Sequence, residues 1–378
     1  MKSACGPREH SESAPAARAK ARRSAEASGG GTPRAVIKVC AVAISAALLI
    51  AATAPAEPLT EAPRLSAVYD SILDARFDRA DGQLKQACPP APVEACQSLR
   101  VESLWWQILI NPESRADDKR FQDLALQAIA ANDAWTRREP RRAEAWFYLA
   151  GSHAPLVQWR VLRGERLAAA REGAAIKAAL EHALELDPAL NDAYFGIGVY
   201  HYYADIAPAA AKVLRWLLFL PGGDRVKGLQ EMLQARDRGE LLRGEADYQL
   251  QLIYLWYEHN TDLALTMLDK LDARYPNNPL FRQSIADARE TYLRDHQGSA
   301  AAWRQLLARA TAGTVYDAQT TVVRARLGLA STLITMNQLD AANEQLTIVI
   351  GQHPIAPIGA KTRAEQLQRA LQTKSATR

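Results

Sequence analysis

Residues 176–203 read IKAALEHALELDPALNDAYFGIGVYHYY, and the spacing inside this stretch decides the fold. Ile176, Ala179, Leu180, Ala183 and Leu184 recur at three- and four-residue intervals and so line one face of a helix. Asp187-Pro188 stops that helix, because proline disfavours the helical conformation in the residue before it. Tyr194 then opens a second helix, with Ile197, Gly198 and His201 following in register. Gly198 is small enough to let two helices approach, and the aromatic opener fills the space between them. A single hairpin of this kind cannot bury its apolar faces, so it needs neighbours.

The neighbours are written in the same code. Pro140 leads to Trp146 as Pro188 leads to Tyr194, and Pro276 leads to Phe281 one residue short of register. After Trp146 come Leu149, Ala150 and His153 in the frame of Ile197, Gly198 and His201. The closing helix recurs as Ile176, Leu180, Ala183, Pro188, as Ala264, Leu268, Leu271, Pro276, and as Ala342, Leu346, Val349, Pro354. Strand-like alternation is almost absent beyond residue 60; the Thr320–Val323 run leads directly into a helical pattern.

In this frame, W-x2-L-G-x2-Y with conservative replacements, the chain resembles the tetratricopeptide repeat (TPR) family, whose units of about 34 residues are pairs of antiparallel helices. The resemblance implies an all-α, irregular TPR-like helical-hairpin solenoid (superhelix) over residues 57–378. Units are expected near 66–90, 95–140, 143–188, 191–240, 246–277 and 320–355, with 279–312 helical but off-frame. An insertion is expected near 203–224. There an apolar run, Val213–Leu220, breaks at Pro221-Gly222-Gly223, and Asp224 stands where a helix cap belongs. This one segment is similar to a passage in eukaryotic TPR proteins associated with mitochondrial outer membranes and inclusion-body clearance.

Hydrophobic residues make up 48% and charged residues 23% of the 378, which excludes a wholly disordered or fibrous chain. The formal charge of +4 is unevenly placed. Residues 1–38 carry eight basic side chains and three acidic ones, which leaves a nearly neutral body with no electrostatic case for a nucleic-acid partner. Residues 1–34, rich in Ala, Ser, Gly and Arg, read as a disordered basic leader. Residues 35–56 contain the uncharged run Val39–Ala56 behind Lys38, closing on Ala54 and Ala56. That pattern is a secretory signal peptide or an uncleaved N-terminal membrane anchor. Either way the body is exported, and a bacterial TPR protein of the periplasm, or one held at the inner membrane, is expected.

Cys88 and Cys96 flank a proline-rich connection, CPPAPVEAC. In an exported chain they are a candidate disulfide; the alternative is two buried free thiols. No phosphate-cradling loop, H-E-x-x-H, C-x-x-C or G-x-S-x-G occurs, so neither catalysis nor a cofactor or metal is expected. His153 and His201 hold a repeat position normally given to tyrosine, where packing accounts for them.

Binding of another protein or peptide is the expected activity, because stacked hairpins present a concave surface. Trp146, Phe147, Asp192, Phe195, Tyr202 and Tyr203 occupy inward positions of such a surface, and would make a scaffold of the cell envelope. The lysine and asparagine by which some TPR modules clamp a terminal carboxylate are replaced here by Phe195 and Val199, which points to an aromatic groove instead. A second reading gives the insertion a role at a membrane surface, with Trp216, Leu217, Phe219 and Leu220 touching lipid. The oligomeric state is left open.

Overall fold

The computed structural model describes residues 59–207, 222–351 and 359–376. The leader, the apolar segment at 35–56 and the residues Trp216, Leu217, Phe219 and Leu220 lie outside them. Helix α1 (Ala62–Leu73) pairs with α2 (Phe77–Ala87), and α3 (Val93–Ile110) with α4 (Asp118–Arg138). Next come α5 (Ala143–Leu162) with α6 (Arg166–Leu186), and α7 (Ala193–Ile206) with α8 (Arg225–Arg238). The later pairs are α9 (Arg243–Trp256) with α10 (Thr261–Arg274), α11 (Pro279–Ala288) with α12 (His296–Thr311), and α13 (Ala318–Thr335) with α14 (Leu339–Gly351). A final helix, α15 (Ala360–Ala376), packs on α13 and α14. No strand occurs among the described residues. Each helix packs chiefly on its neighbours in sequence, as a TPR-like hairpin solenoid requires.

The repeated residues have repeated jobs. The indole N–H of Trp146 donates to the Pro140 carbonyl at 3.0 Å, and the Tyr194 hydroxyl donates to the Pro188 carbonyl at 3.1 Å. The opener thus fastens the turn that precedes its own helix. Two helical turns further on, His153 Nδ1 meets Glu172 and His201 Nδ1 meets Glu231, each at 2.6 Å, so the same repeat position ties together the two helices of each hairpin. Phe281 lacks a polar end and is simply enclosed.

Irregularity is absorbed in three ways. Long helices of 20 and 21 residues take up the excess length of the α5–α6 unit, joined through Gly164 at φ 83°. Asp224 caps α8 by accepting from the Lys227 N–H at 2.9 Å, and Met232 and Ala235 behind it are fully buried. Residues 279–312, expected to be helical but off-frame, form a full hairpin. A π-helical turn at Arg289–Leu293 and the left-handed Arg294 shift the frame, and Asp295 restarts the chain by accepting from the Gly298 N–H at 2.8 Å.

Cys88 and Cys96 form a disulfide at the start of α3, with Cα atoms 6.6 Å apart.

Candidate functional site

The first helices of successive hairpins form the row that an open array would leave for a partner. Here one of those first helices, α3, packs against several of the others. The Ser98 hydroxyl donates to the Tyr148 carbonyl of α5 at 3.3 Å. Trp106 packs with its ring centroid 4.9 Å from that of Tyr248 on α9 and 6.1 Å from that of Phe281 on α11. At its far end, Arg324 of α13 donates to the Ile110 carbonyl and, at 2.7 Å, to the Asn111 side chain. Buried residues consequently appear on every face of α3. Helix α1 is tied in as well: the Tyr275 hydroxyl donates to Asp70 at 2.7 Å, and the Asn278 amide donates to the Leu73 carbonyl at 2.8 Å.

This packing relocates the residues expected on an inward surface. Phe147 is buried edge-on against Tyr148. Asp192 is buried too, its carboxylate accepting from the backbone N–H groups of Glu240, Leu241 and Leu242 at 2.7–3.0 Å, which fastens the start of α9. Tyr202 is fully enclosed, and its hydroxyl donates to Glu258 at 2.5 Å. Trp146 is half-buried against His182, with ring centroids 4.4 Å apart. Tyr203 stays partly exposed, accepts from the Gln249 amide at 2.9 Å, and meets the Tyr202 and Tyr257 rings edge-on at 5.5 and 5.6 Å. Trp256, one residue before Tyr257, is 50% exposed. Phe195 is partly exposed and faces a cavity.

That cavity, about 100 Å³, lies between α3 and α7 and is walled also by α5, α6 and the start of α9. Its apolar lining includes Leu99, Phe147, Leu180 and Phe195, and its polar lining is Tyr69, Ser98, Glu102, Tyr148, Gln158, Asp192 and Glu245. Glu102 and Glu245 are 7% and 5% exposed. Burial pushes Glu102 up to about 7, partly offset by the Tyr69 hydroxyl and the Trp106 indole. Burial, and then the neighbouring Glu102 charge, also push Glu245 well above the usual carboxylate range. The Tyr69 hydroxyl donates to Glu245 at 3.3 Å. Glu102 Oε1, Trp106 Nε1 and the Tyr148 hydroxyl have no well-formed hydrogen bond.

The composition of α3 carried a signal of this pair. Glu102 interrupts SLRVESLWWQILI, a run with apolar residues on every side, and a lone carboxylate there demands a reason. Glu245, distant in sequence, gave no such sign. Among the described residues no group of three His, Cys, Asp or Glu side chains is gathered as a metal site. Nor is any helix of those residues long and apolar enough to cross a membrane.

No family model matches the chain, and no curated protein matches it. Among solved structures, it is similar to a chain in the crystal structure of the APC/C hetero-tetramer Cut9-Hcn1, at 13% identity and a TM-score of 0.43. The match covers 74% of this chain and 43% of that one.

Proposed function

We propose that this protein is an exported, non-catalytic scaffold of the cell envelope that binds another protein or peptide. The TPR-like stack of hairpins supports the class of activity, since such arrays present extended surfaces rather than reaction centres. The basic flank and apolar run of residues 35–56 support export, to the periplasm or to the inner membrane through that segment.

The observation that carries the choice of surface is the course of α3. With the first helices of the α5, α9, α11 and α13 units touching α3, that row is committed to internal packing. Aromatic surface remains at the C-terminal ends of α7 and α9, where Tyr203 is partly exposed and Trp256 half-exposed. Large aromatics with one wet edge are the residues that anchor interfaces. The test is crosslinking and recovery of partners from the native host with the wild-type chain, Trp256→Ala and Tyr203→Ser. Both substitutions should reduce recovery of the same partner. Unchanged recovery with either folded variant would remove this surface from consideration.

A further inference from the structure

Six carboxylates are buried among the described residues: Glu102, Glu144, Asp192, Glu231, Glu245 and Asp272. Four are compensated. Glu144 holds Arg142 at 2.6 Å and Glu231 holds His201 at 2.6 Å, while Asp272 takes Arg282 and Arg309, the latter at 2.8 Å. Asp192 has its three backbone donors. Glu102 and Glu245 have only the Tyr69 hydroxyl and the nearby Trp106 indole, and no lysine or arginine among the described residues lines their cavity. Burying a carboxylate without a cation is expensive, and two together cost more.

We propose that the cavity between α3 and α7 binds a small aliphatic primary ammonium ion, held by Glu102 and Glu245 with its alkyl chain among Leu99, Phe147, Leu180 and Phe195. An ammonium group has three donors and no acceptor. The cavity offers it acceptors in Glu102 and Glu245, and the deeply buried Glu102 Oε1 has no well-formed hydrogen bond. An anion would find no lysine or arginine among the described lining residues to pair with. A calcium ion takes about six to eight oxygen ligands, more than two carboxylates supply, and a magnesium ion would have to bring several waters into a space of about 100 Å³. At about 100 Å³ the space is smaller than the roughly 150 Å³ apolar cavity that admits benzene, which limits the guest to four or five heavy atoms. Entry is by the partly exposed rim residues Gly151, Gln158 and Phe195.

Without a guest, the pair keeps protons. Among the described residues the groups facing it are Tyr69 from α1, Ser98 and Trp106 from α3, Tyr148 and Gln158 from α5, Asp192 ahead of α7, and Tyr248 from α9, and none is a cation. An ammonium ion therefore displaces a proton when it binds, which gives a readout separate from affinity.

The test is calorimetric titration of the purified full chain with n-butylammonium chloride at constant ionic strength and neutral pH, in two buffers of different ionisation enthalpy. n-Butanol is the neutral comparison, and Glu102→Gln removes one charge at equal volume. The expected result is saturable one-to-one binding with proton release. n-Butanol should bind about tenfold more weakly or worse, and the folded variant should lose a similar factor. Equal binding of n-butanol would reduce the site to an apolar void. Absence of saturable amine binding up to tens of millimolar would leave a pair that serves only to share protons. Either of these results, both read on the wild-type chain alone, overturns the proposal.

Discussion

Gly198 on α7 and Gly228 on α8 meet backbone to backbone: a methyl group built on Gly198 would stand 2.6 Å from the Gly228 carbonyl oxygen, and one on Gly228 would stand 2.6 Å from the Gly198 carbonyl oxygen. Two helices cross here at the closest approach their backbones allow. The glycines are reciprocal, so neither can grow without moving a helix.

Replacing Gly228 by alanine should therefore destabilise the chain even though alanine is the better helix former. The gain in propensity is about 1 kcal/mol, and the overpacking cost is about 1–3 kcal/mol, with backbone atoms unable to yield. A lower urea midpoint at unchanged slope would show it. A midpoint at or above that of the wild type would mean that the crossing is looser than described.

Asp192→Ala removes the acceptor of three backbone N–H groups at the entry to α9. Hydrogen bonds to a charged acceptor contribute about 1.5–3 kcal/mol each when removed singly, so a loss of about 2–4 kcal/mol is expected. Hydrogen exchange should quicken first at Glu240, Leu241 and Leu242. If those amides keep their protection, the carboxylate is not their anchor.

Trp106→Ala empties the contact of α3 with Tyr248 and Phe281 and should cost about 3–5 kcal/mol. Because α3 touches several distant hairpins, the consequence should reach beyond its own unit. Limited proteolysis should open sites in both α3 and α11 at lower denaturant than in the wild type. Cleavage confined to α3 would contradict the bridging role.

The pH dependence follows from the buried acids. Glu102 is raised to about 7 and Glu245 is raised as well, so the folded chain holds protons that the unfolded chain releases. The Glu102 contribution is complete below the ordinary glutamate value and is lost as pH rises through about 7, and the Glu245 contribution is lost in the same direction. Glu102→Gln should flatten the fall in stability between mildly acidic and neutral pH by up to about 1.4 kcal/mol per pH unit. Arginine contacts hold Glu139 and Glu258 below the usual range, and these stabilise above it and fail in acid. Parallel profiles for wild type and variant would exclude the pair as the cause.

A non-reducing peptide map should join the segments carrying Cys88 and Cys96. Recovery of both as free thiols from protein made in an oxidising compartment would reject the bridge.

Local spacing made much of this fold legible. The prolines at 140 and 188, the aromatics six residues beyond them, and Gly198 state the hairpin because its helices interact over short distances in sequence. The Asp224 cap was readable for the same reason. The frame was lost at 279–312, where a π-helical turn inserts between two helices and breaks the spacing on which the reading depends.

The burial of Phe147, Asp192 and Tyr202 was not legible for a different reason. Repeat position says which side of a hairpin Phe147, Asp192 or Tyr202 occupies, but not whether that side stays open. The decision belongs to contacts such as Asn111 with Arg324 and Tyr69 with Glu245, which join residues far apart in the chain. By itself, the amino-acid sequence determined the helices, their pairing and the small residues at their crossings, since periodicity and chain breakers act locally. Only the tertiary structure decided that α3 packs against the other first helices and that two carboxylates share a cavity there, because burial of a side chain is set by whatever distant segment folds over it.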